Sequence, residues 1–252
     1  MGIGPGSPGQ ARRHAVAAAG RLNIRVLEAT PMMNETLAEI DELQRIPAPG
    51  PAPQALACDG TDIWVASAET HRLYGLRGNT GAVFEEAQAP GEPIGMVVTG
   101  EALRMVTSEN DDSRYIRRYI VGHGFKTDSL ACPDDTGSFL AYDGDNLFLS
   151  QRHNQRILQL DMWGEVQRTI PAPRQICGMV IVNGRFFLMT TAARDEPDDY
   201  RVIRLDARKP QPEATELARV PFLARSLAWD GSKFWTCARR ENEIVAFAAI
   251  GV

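Results

Sequence analysis

Cysteine is scarce in this 252-residue chain, and the four present (Cys58, Cys132, Cys177, Cys237) show neither CxxC nor metal-knuckle spacing. That spacing offers no linear metal motif. Long apolar runs are missing too, since nothing approaches the roughly 18–20 residues needed to span a bilayer. The Ala15–Ala19 run is shorter than the roughly 7–15 residue core of a secretory signal. A surplus of positive charge is also lacking: 27 Lys and Arg stand against 32 Asp and Glu, for a net −5. The pairs Arg12-Arg13, Arg117-Arg118 and Arg239-Arg240 lie scattered among acidic residues. No footprint for nucleic acid or an anionic membrane results. HExxH, GxSxG and a phosphate-binding glycine loop do not occur, so no linear catalytic motif announces a reaction.

What is present is a repeat. Ala55-Leu-Ala-Cys-Asp-Gly60 returns as Phe139-Leu-Ala-Tyr-Asp-Gly144 and Ser226-Leu-Ala-Trp-Asp-Gly231. Looser copies are Gly95-Met-Val-Val-Thr-Gly100 and Gly178-Met-Val-Ile-Val-Asn-Gly184. The turn glycines fall at 60, 100, 144, 184 and 231, with gaps of 40, 44, 40 and 47 residues. A period near forty with all-strand content predicts a β-propeller. The Asp-Gly and Asn-Gly pairs read as tight hairpins in which both central residues take positive φ.

Second strands read Ile63-Trp-Val-Ala, Leu103-Arg-Met-Val, Leu147-Phe-Leu-Ser, Phe186-Phe-Leu-Met and Phe234-Trp-Thr-Cys. Four of the five are nearly continuously apolar, as strands covered on both faces should be. Their aromatics are core residues, and Cys58 and Cys237 sit in strands as small apolar side chains. Cys132 and Cys177 lie near loop–strand junctions, where a buried or an accessible thiol both fit.

Gln44-Arg-Ile-Pro-Ala-Pro49 resembles Gln167-Arg-Thr-Ile-Pro-Ala-Pro173, the end of one unit. Residues about 40–46 therefore predict an outermost strand whose three companions are the last strands of the chain. The fold expected is an all-β, five-bladed propeller of four-stranded antiparallel blades, its ring closed by an N-terminal outer strand. Residues 1–20, rich in Gly, Pro, Ala and Arg, read as a disordered leader, and residues 21–252 as a single domain. Asn23–Leu27 alternates like a strand, and Met33–Leu43 fits a helical turn or an extended segment.

In such a ring the loops joining second to third strands, and each blade to the next, surround one mouth of the central channel. The first group includes Ser67–His71, Ser108–Ser113, Gln151–Gln155 and Ala238–Asn242; the second contributes Gln54, Glu92, Arg174, Gln175 and Arg225. Glu69 and Glu109 are read as occupying equivalent positions, with Arg152 and Arg239 at that position in two other blades. Two carboxylates facing guanidiniums suit a compact, polar, charged molecule. Glu69 and Glu109 are candidates for acid and base once burial separates their pKa values, with His153 as a further proton carrier. Arg152 and Arg239 are candidate anion clamps, and His71, Asn154, Arg174 and Arg225 further candidate substrate contacts. Solvated loop charges pairing with one another account for the same residues. No cofactor is required. A divalent metal would draw on Glu69, Glu109, Asn110 and Asn154 without any linear motif.

The units beginning at 55, 139 and 226 resemble the repeats of the NHL-type propeller superfamily, which spans gluconolactonase-type lactonases, streptogramin lyases and plant-type glutaminyl cyclases (glutamine cyclotransferases). Leu56-Ala-Cys-Asp-Gly-Thr-Asp-Ile-Trp-Val65, followed by Leu73-Tyr-Gly-Leu76 and Thr80-Gly81, is similar to a cyclase blade. Gln54-Ala-Leu56 and Pro93-Ile-Gly-Met96 stand where those cyclases carry Gln-Gly-Leu or Glu-Gly-Leu. The resemblance implies cyclase, lactonase or lyase chemistry on a small polar substrate, while a non-catalytic ligand- or protein-binding propeller uses the same scaffold. A small polar molecule is the expected partner, a protein partner the alternative, and the cytoplasm the expected location.

Overall fold

The computed structural model describes residues 25–26, 37–78, 80–109, 113–192, 199–209 and 211–252. The leader read at residues 1–20 lies outside them. Strands β1 (Arg25–Val26) and β2 (Glu42–Pro47) precede the first complete blade. Blade 1 comprises β3 (Pro53–Cys58), β4 (Asp62–Ser67), β5 (Arg72–Arg77) and β6 (Val83–Gln88). Blade 2 comprises β7 (Glu92–Thr99), β8 (Ala102–Ser108), β9 (Arg114–Ile120) and β10 (Gly124–Ala131). Blade 3 comprises β11 (Leu140–Tyr142), β12 (Leu147–Gln151), β13 (Arg156–Leu160) and β14 (Val166–Pro171). Blade 4 comprises β15 (Gln175–Val182), β16 (Arg185–Thr191), β17 (Tyr200–Asp206) and β18 (Glu213–Val220). Blade 5 takes β19 (Ala224–Trp229), β20 (Lys233–Ala238) and β21 (Glu243–Ala248) and is completed by β2, in the order β19-β20-β21-β2.

The expected closure is what the chain adopts. Strand β2 pairs antiparallel with β21, Arg45 facing Val245 and Ile46 facing Ile244. The inner strands β3, β7, β11, β15 and β19 each touch the next, and β19 returns to β3, so the ring is complete. This is a five-bladed β-propeller. Ile46 and Ile170, the matching residues of the duplicated Ile-Pro-Ala-Pro motif, are both buried. Of the ambiguous stretch before β2, the described part is extended: Ile40 N–H donates to Arg219 O (2.9 Å) and Arg219 N–H to Ala38 O (2.8 Å). With β1 lying parallel to Glu213–Ala214, the chain covers the outer edge of blade 4, a device that shields unpaired strand groups.

Blades hold together through side chains that each second strand turns towards the following blade. Trp64 meets Tyr119 of blade 2 (6.1 Å between ring centroids), Phe148 meets Phe186, and Phe187 meets Phe234, the last two at 5.1 Å. Trp235 packs with Leu56 and Ile63 of blade 1. Burying each such ring is worth about 1.5–3 kcal/mol. Strand β8 departs from this series, carrying Arg104 at the matching position.

The Asp-Gly turns differ from the expected tight form. Asn183 and Gly184 do both take positive φ, 50° and 70°, but at the Asp-Gly turns only Gly60, Gly144 and Gly231 do, at 90°, 105° and 99°. The aspartates instead serve as acceptors. Asp59 Oδ1 takes the N–H groups of Thr61 (3.0 Å) and Asp62 (2.8 Å), and Asp230 Oδ1 those of Ser232 (2.8 Å) and Lys233 (2.9 Å). Their second oxygens reach the indoles five residues on, Trp64 Nε1 at 3.2 Å and Trp235 Nε1 at 2.7 Å. A carboxylate that caps the turn and fixes the core indole makes the left-handed aspartate unnecessary.

Burial acts to raise the Asp230 pKa, but the bonds from Trp235, Lys233 and Ser232 outweigh it and leave it lowered. At Asp143 burial is likewise overcome by bonds from Asn146 and Asp145. A carboxyl depressed in the folded state contributes stability in full above its unfolded pKa, near 3.9 for Asp, and loses it as pH falls through the folded value. Thermal unfolding followed from about pH 6 down to pH 2 should therefore show a fall in midpoint below about pH 4. That fall should be shallower in the Asp143→Asn/Asp230→Asn double variant. Gly178 supplies a second test, since a Cβ there would lie 2.3 Å from the carbonyl carbon of Ser226 in the next blade. Gly178→Ala should cost about 1–3 kcal/mol, and an unchanged melting temperature would show that this close approach is not required.

Candidate functional site at the channel mouth

The inner strands are interrupted near the end where each begins. Register shifts fall between Pro53 and Ala55, Pro93 and Gly95, Ile176 and Gly178, and Arg225 and Ala228. Bulges of this kind re-aim side chains, and here they present Gln54, Cys177 and Ser226 around the top of the channel. Ser226 Oγ accepts the Leu56 N–H (3.0 Å) and donates to Leu56 O (3.2 Å), tying blade 5 to blade 1. Towards the opposite end of the inner strands lies a cavity of ≈ 140 Å³ lined by residues of all five, among them Leu56, Met96, Leu140, Met179 and Leu227.

In blades 1, 3 and 5 the frame of the loops comes from a left-handed residue just before the third strand. His71, Gln155 and Asn242 have φ of 54°, 47° and 55°, and their carbonyls accept the N–H groups of Ala89, Ala172 and Ala48, each at 2.8 Å. This places His153 opposite Glu69, two positions before Gln155, the residue that matches His71. Likewise Ala68 and Arg239 are equivalent, donating N–H to Ala52 O (3.1 Å) and Leu223 O (3.0 Å). Glu69 thus sits one residue beyond Glu109, Arg152 and Arg239, which directly follow their second strands. The spacing of side chains alone did not reveal the offset; the backbone bonds do.

The expected site residues separate into two groups. Glu69, His153 and Asn154 are exposed, and Asn154 Nδ2 donates to Gln151 Oε1 (3.2 Å). Glu109 is engaged within its own blade, its carboxylate taking both Nε (3.0 Å) and Nη2 (2.5 Å) of Arg117. His71 is half-buried, its backbone carbonyl also taking Gln88 Nε2 (3.0 Å). Asn110 lies outside the described residues. Among the described residues no group of three or more His, Cys, Asp or Glu is placed to hold a metal ion.

The four arginines, by contrast, converge. Burial pushes the Cys177 thiol up to about 11, while the positive charges of Arg225, Arg152 and Arg174 act the other way. Arg239 adjoins them: burial and then Arg225 lower its pKa, with Glu92 acting the other way. Arg239 Nη1 donates to Gln54 Oε1 (2.5 Å), and Gln54 Nε2 donates on to Ile94 O (3.1 Å). Arg225 Nη1 donates to Tyr200 OH (3.2 Å) and Ala224 O (2.9 Å), its guanidinium 5.7 Å from the Tyr200 ring centroid. Arg174 has a carboxylate in hand, Asp199 at 2.5 Å, within a network that includes Arg201 and Glu216. Among the described residues neither Arg225 nor Arg239 forms an ion pair with a carboxylate within 4.0 Å. Tyr200 was not among the expected mouth residues because it opens a strand that looked purely structural, whereas Gln54 was expected at the mouth but without its bond to Arg239.

No protein-family model matches the chain, and no curated protein matches it in sequence. Solved structures do. The PQQ-bound aldose sugar dehydrogenase of Streptomyces coelicolor is similar at TM-score 0.57 and 14% identity, over 83% of this chain and 98% of that one. A chain of a nidogen–laminin complex is similar at TM-score 0.57 and 12% identity, over 81% and 80%. A Bacteroides thetaiotaomicron protein of unknown function is similar at TM-score 0.53 and 11% identity, over 84% and 75%. At these identities the likeness is one of fold, and propellers with this fold serve unrelated ends.

All four cysteines are free, and Cys132, Cys177 and Cys237 are buried. Burial raises every thiol, Cys132 up to about 12 and Cys58 and Cys237 well above the usual range. Since the thiolate is the reacting species, Ellman's reagent at pH 8 should label native protein slowly and all four sites after denaturation. Rapid labelling of one native thiol would show that a junction cysteine is open to solvent.

Proposed function

We propose that the protein binds a compact anionic molecule, a carboxylate or phosphate, at the channel mouth. The observation that carries this reading is the gathering of Arg152, Arg174, Arg225 and Arg239 at one end of the ring, with Arg225 and Arg239 half-buried and side by side. Like charges brought together out of water repel, and an anion between them relieves that repulsion through charge-assisted bonds. Glu92 beside Arg239 favours a ligand that also offers a hydrogen-bond donor. Tyr200 and Gln54 hold the two clamps in orientation.

Binding is favoured over turnover because Glu109 is occupied by Arg117 and Glu69 and His153 are exposed. An acid–base reaction of cyclase, lactonase or lyase type would use those three residues for proton transfer, with His71 and Asn154 on the substrate's polar edge. Four free thiols suit a reducing compartment, which supports a cytoplasmic setting. No helix among the described residues is long and apolar enough to cross a membrane.

Calorimetric titration with acetate, succinate, citrate and inorganic phosphate tests the reading. At about 100 times its dissociation constant a true ligand should add roughly 2.7 kcal/mol of stability. Arg225→Ala and Arg239→Ala should each weaken binding by at least about tenfold, or roughly 1.4 kcal/mol. If no anion in the panel binds, the proposal fails. Turnover of lactones or N-terminal Gln peptides that vanishes in Glu109→Gln would restore the acid–base reading.

A further inference from the structure

A second feature lies between blades 2 and 3. Strands β4, β12, β16 and β20 each fill the junction with the next blade using a buried aromatic: Trp64, Phe148, Phe187 and Trp235. Strand β8 offers Arg104 from the same register, on the face that carries Val106 towards blade 3. What remains is a cleft of ≈ 280 Å³ lined by Arg104, Leu130, Tyr142, Leu147, Leu160 and Met162. The junction between blades 3 and 4 is also indented, at ≈ 230 Å³. There, however, Phe148 occupies the aromatic position and Arg168 is tied to Ala207 O (2.5 Å).

The cleft is charged in an unbalanced way. Arg104 faces Arg118 directly across the β8–β9 pair, an arrangement that destabilises a sheet unless something offsets it. Arg118 has Asp128 at 3.2 Å, while its Nε is buried without a hydrogen-bond partner. Among the described residues Arg104 makes no hydrogen bond and no ion pair within 4.0 Å, feeling Asp128 only at longer range. Asp161, on the rim, is consumed by its own turn, accepting from Trp163 N–H (2.9 Å), Glu165 N–H (2.9 Å) and Gln167 Nε2 (3.0 Å). Asp145 lies exposed at the edge. Beside the opening Met162 and Trp163 are 76% and 72% exposed, the most exposed of the large apolar residues described.

We propose that this cleft binds a small aromatic carboxylate. Its ring takes the slot that an aromatic side chain fills at the other four junctions, between Leu130, Leu147 and Leu160 and under Tyr142 and Met162. Its carboxylate pairs with the Arg104 guanidinium, whose planar fork matches two oxygens. The volume is that of one ring with a short acidic arm, below the range of about 300–1,000 Å³ typical of larger ligands. This site is separate from the channel mouth and does not depend on the reading given for it.

Titration of the full chain with benzoate and phenylacetate, read by calorimetry and by tryptophan fluorescence, tests the assignment. Saturable binding that depends on Arg104 is expected, and acetate, which lacks the ring, and benzyl alcohol, which lacks the charge, should show no Arg104-dependent binding. Arg104→Trp restores the missing aromatic, so it should raise the melting temperature while weakening the acids by at least about tenfold. Arg104→Gln, which keeps the side chain's length without its charge, should weaken them similarly and guards against a misfolded tryptophan variant. Absence of binding by either acid overturns the proposal, as does acetate binding that Arg104→Gln weakens as much, or unchanged affinity for the aromatic acids in both variants. Affinity lost in Arg225→Ala but kept in Arg104→Trp would assign the acids to the channel mouth and overturn it too. Binding only of a peptide bearing an aromatic residue would assign the cleft to a protein partner, with the same result.

Discussion

Each blade is a sheet with two apolar faces, and neither face is protected until the next blade arrives. One large side chain per second strand, projected across the junction, is therefore the interaction on which the ring depends. The aspartates of the Asp-Gly turns act on it directly: Asp59 and Asp230 receive the indole N–H groups of Trp64 and Trp235, so a surface turn orients a core ring. A buried indole left without such an acceptor would carry the full cost of an unmade hydrogen bond. Turn chemistry and core packing are thus one unit repeated around the axis, and the blades differ where that unit is altered.

The same constraint explains where polar chemistry gathers. Junctions sealed by aromatics leave no room for charge, so guanidiniums collect where the seal is absent: at the ends of the inner strands, and at the junction where Arg104 replaces the ring. At the mouth, bulges interrupt β3, β7, β15 and β19, while the cavity towards the other end of the inner strands is lined mainly by apolar side chains.

The fold was legible in the chain because glycine spacing and alternation report backbone geometry directly. Gly60, Gly144 and Gly231 mark turns that need a left-handed residue, and the duplicated Ile-Pro-Ala-Pro motif marks the outer strands that become β2 and β14. The placement of Arg152, Arg174 and Arg239 in connecting segments was legible too, since it follows from the repeat, whereas Arg225 lies within β19. Their partners were not. That Glu109 turns to Arg117 within its blade, or that Gln54 bridges Arg239 and Ile94, is decided by side-chain reach across blades, which no linear spacing encodes. The equivalence of loop positions slipped by one at Glu69 because the backbone bonds of His71, Gln155 and Asn242, not the charges, set the frame. Arg104 was visible as the one charged break in an apolar second strand; its meaning needed the matching rings of the other blades beside it.

The closing pair β2–β21 brings together segments as far apart as Arg45 and Glu243, 198 residues in sequence. Such a contact adds loop-closure entropy early and returns stabilisation late. During synthesis blades 1 to 4 can form in order as they emerge, whereas blade 5 lacks its outer strand until β21 leaves the ribosome and finds β2 waiting. Until then β2 presents an unpaired edge, open to strands of other chains. Ring closure is thus also a timing device: it makes the pairing of β21 with β2 a checkpoint for the whole domain.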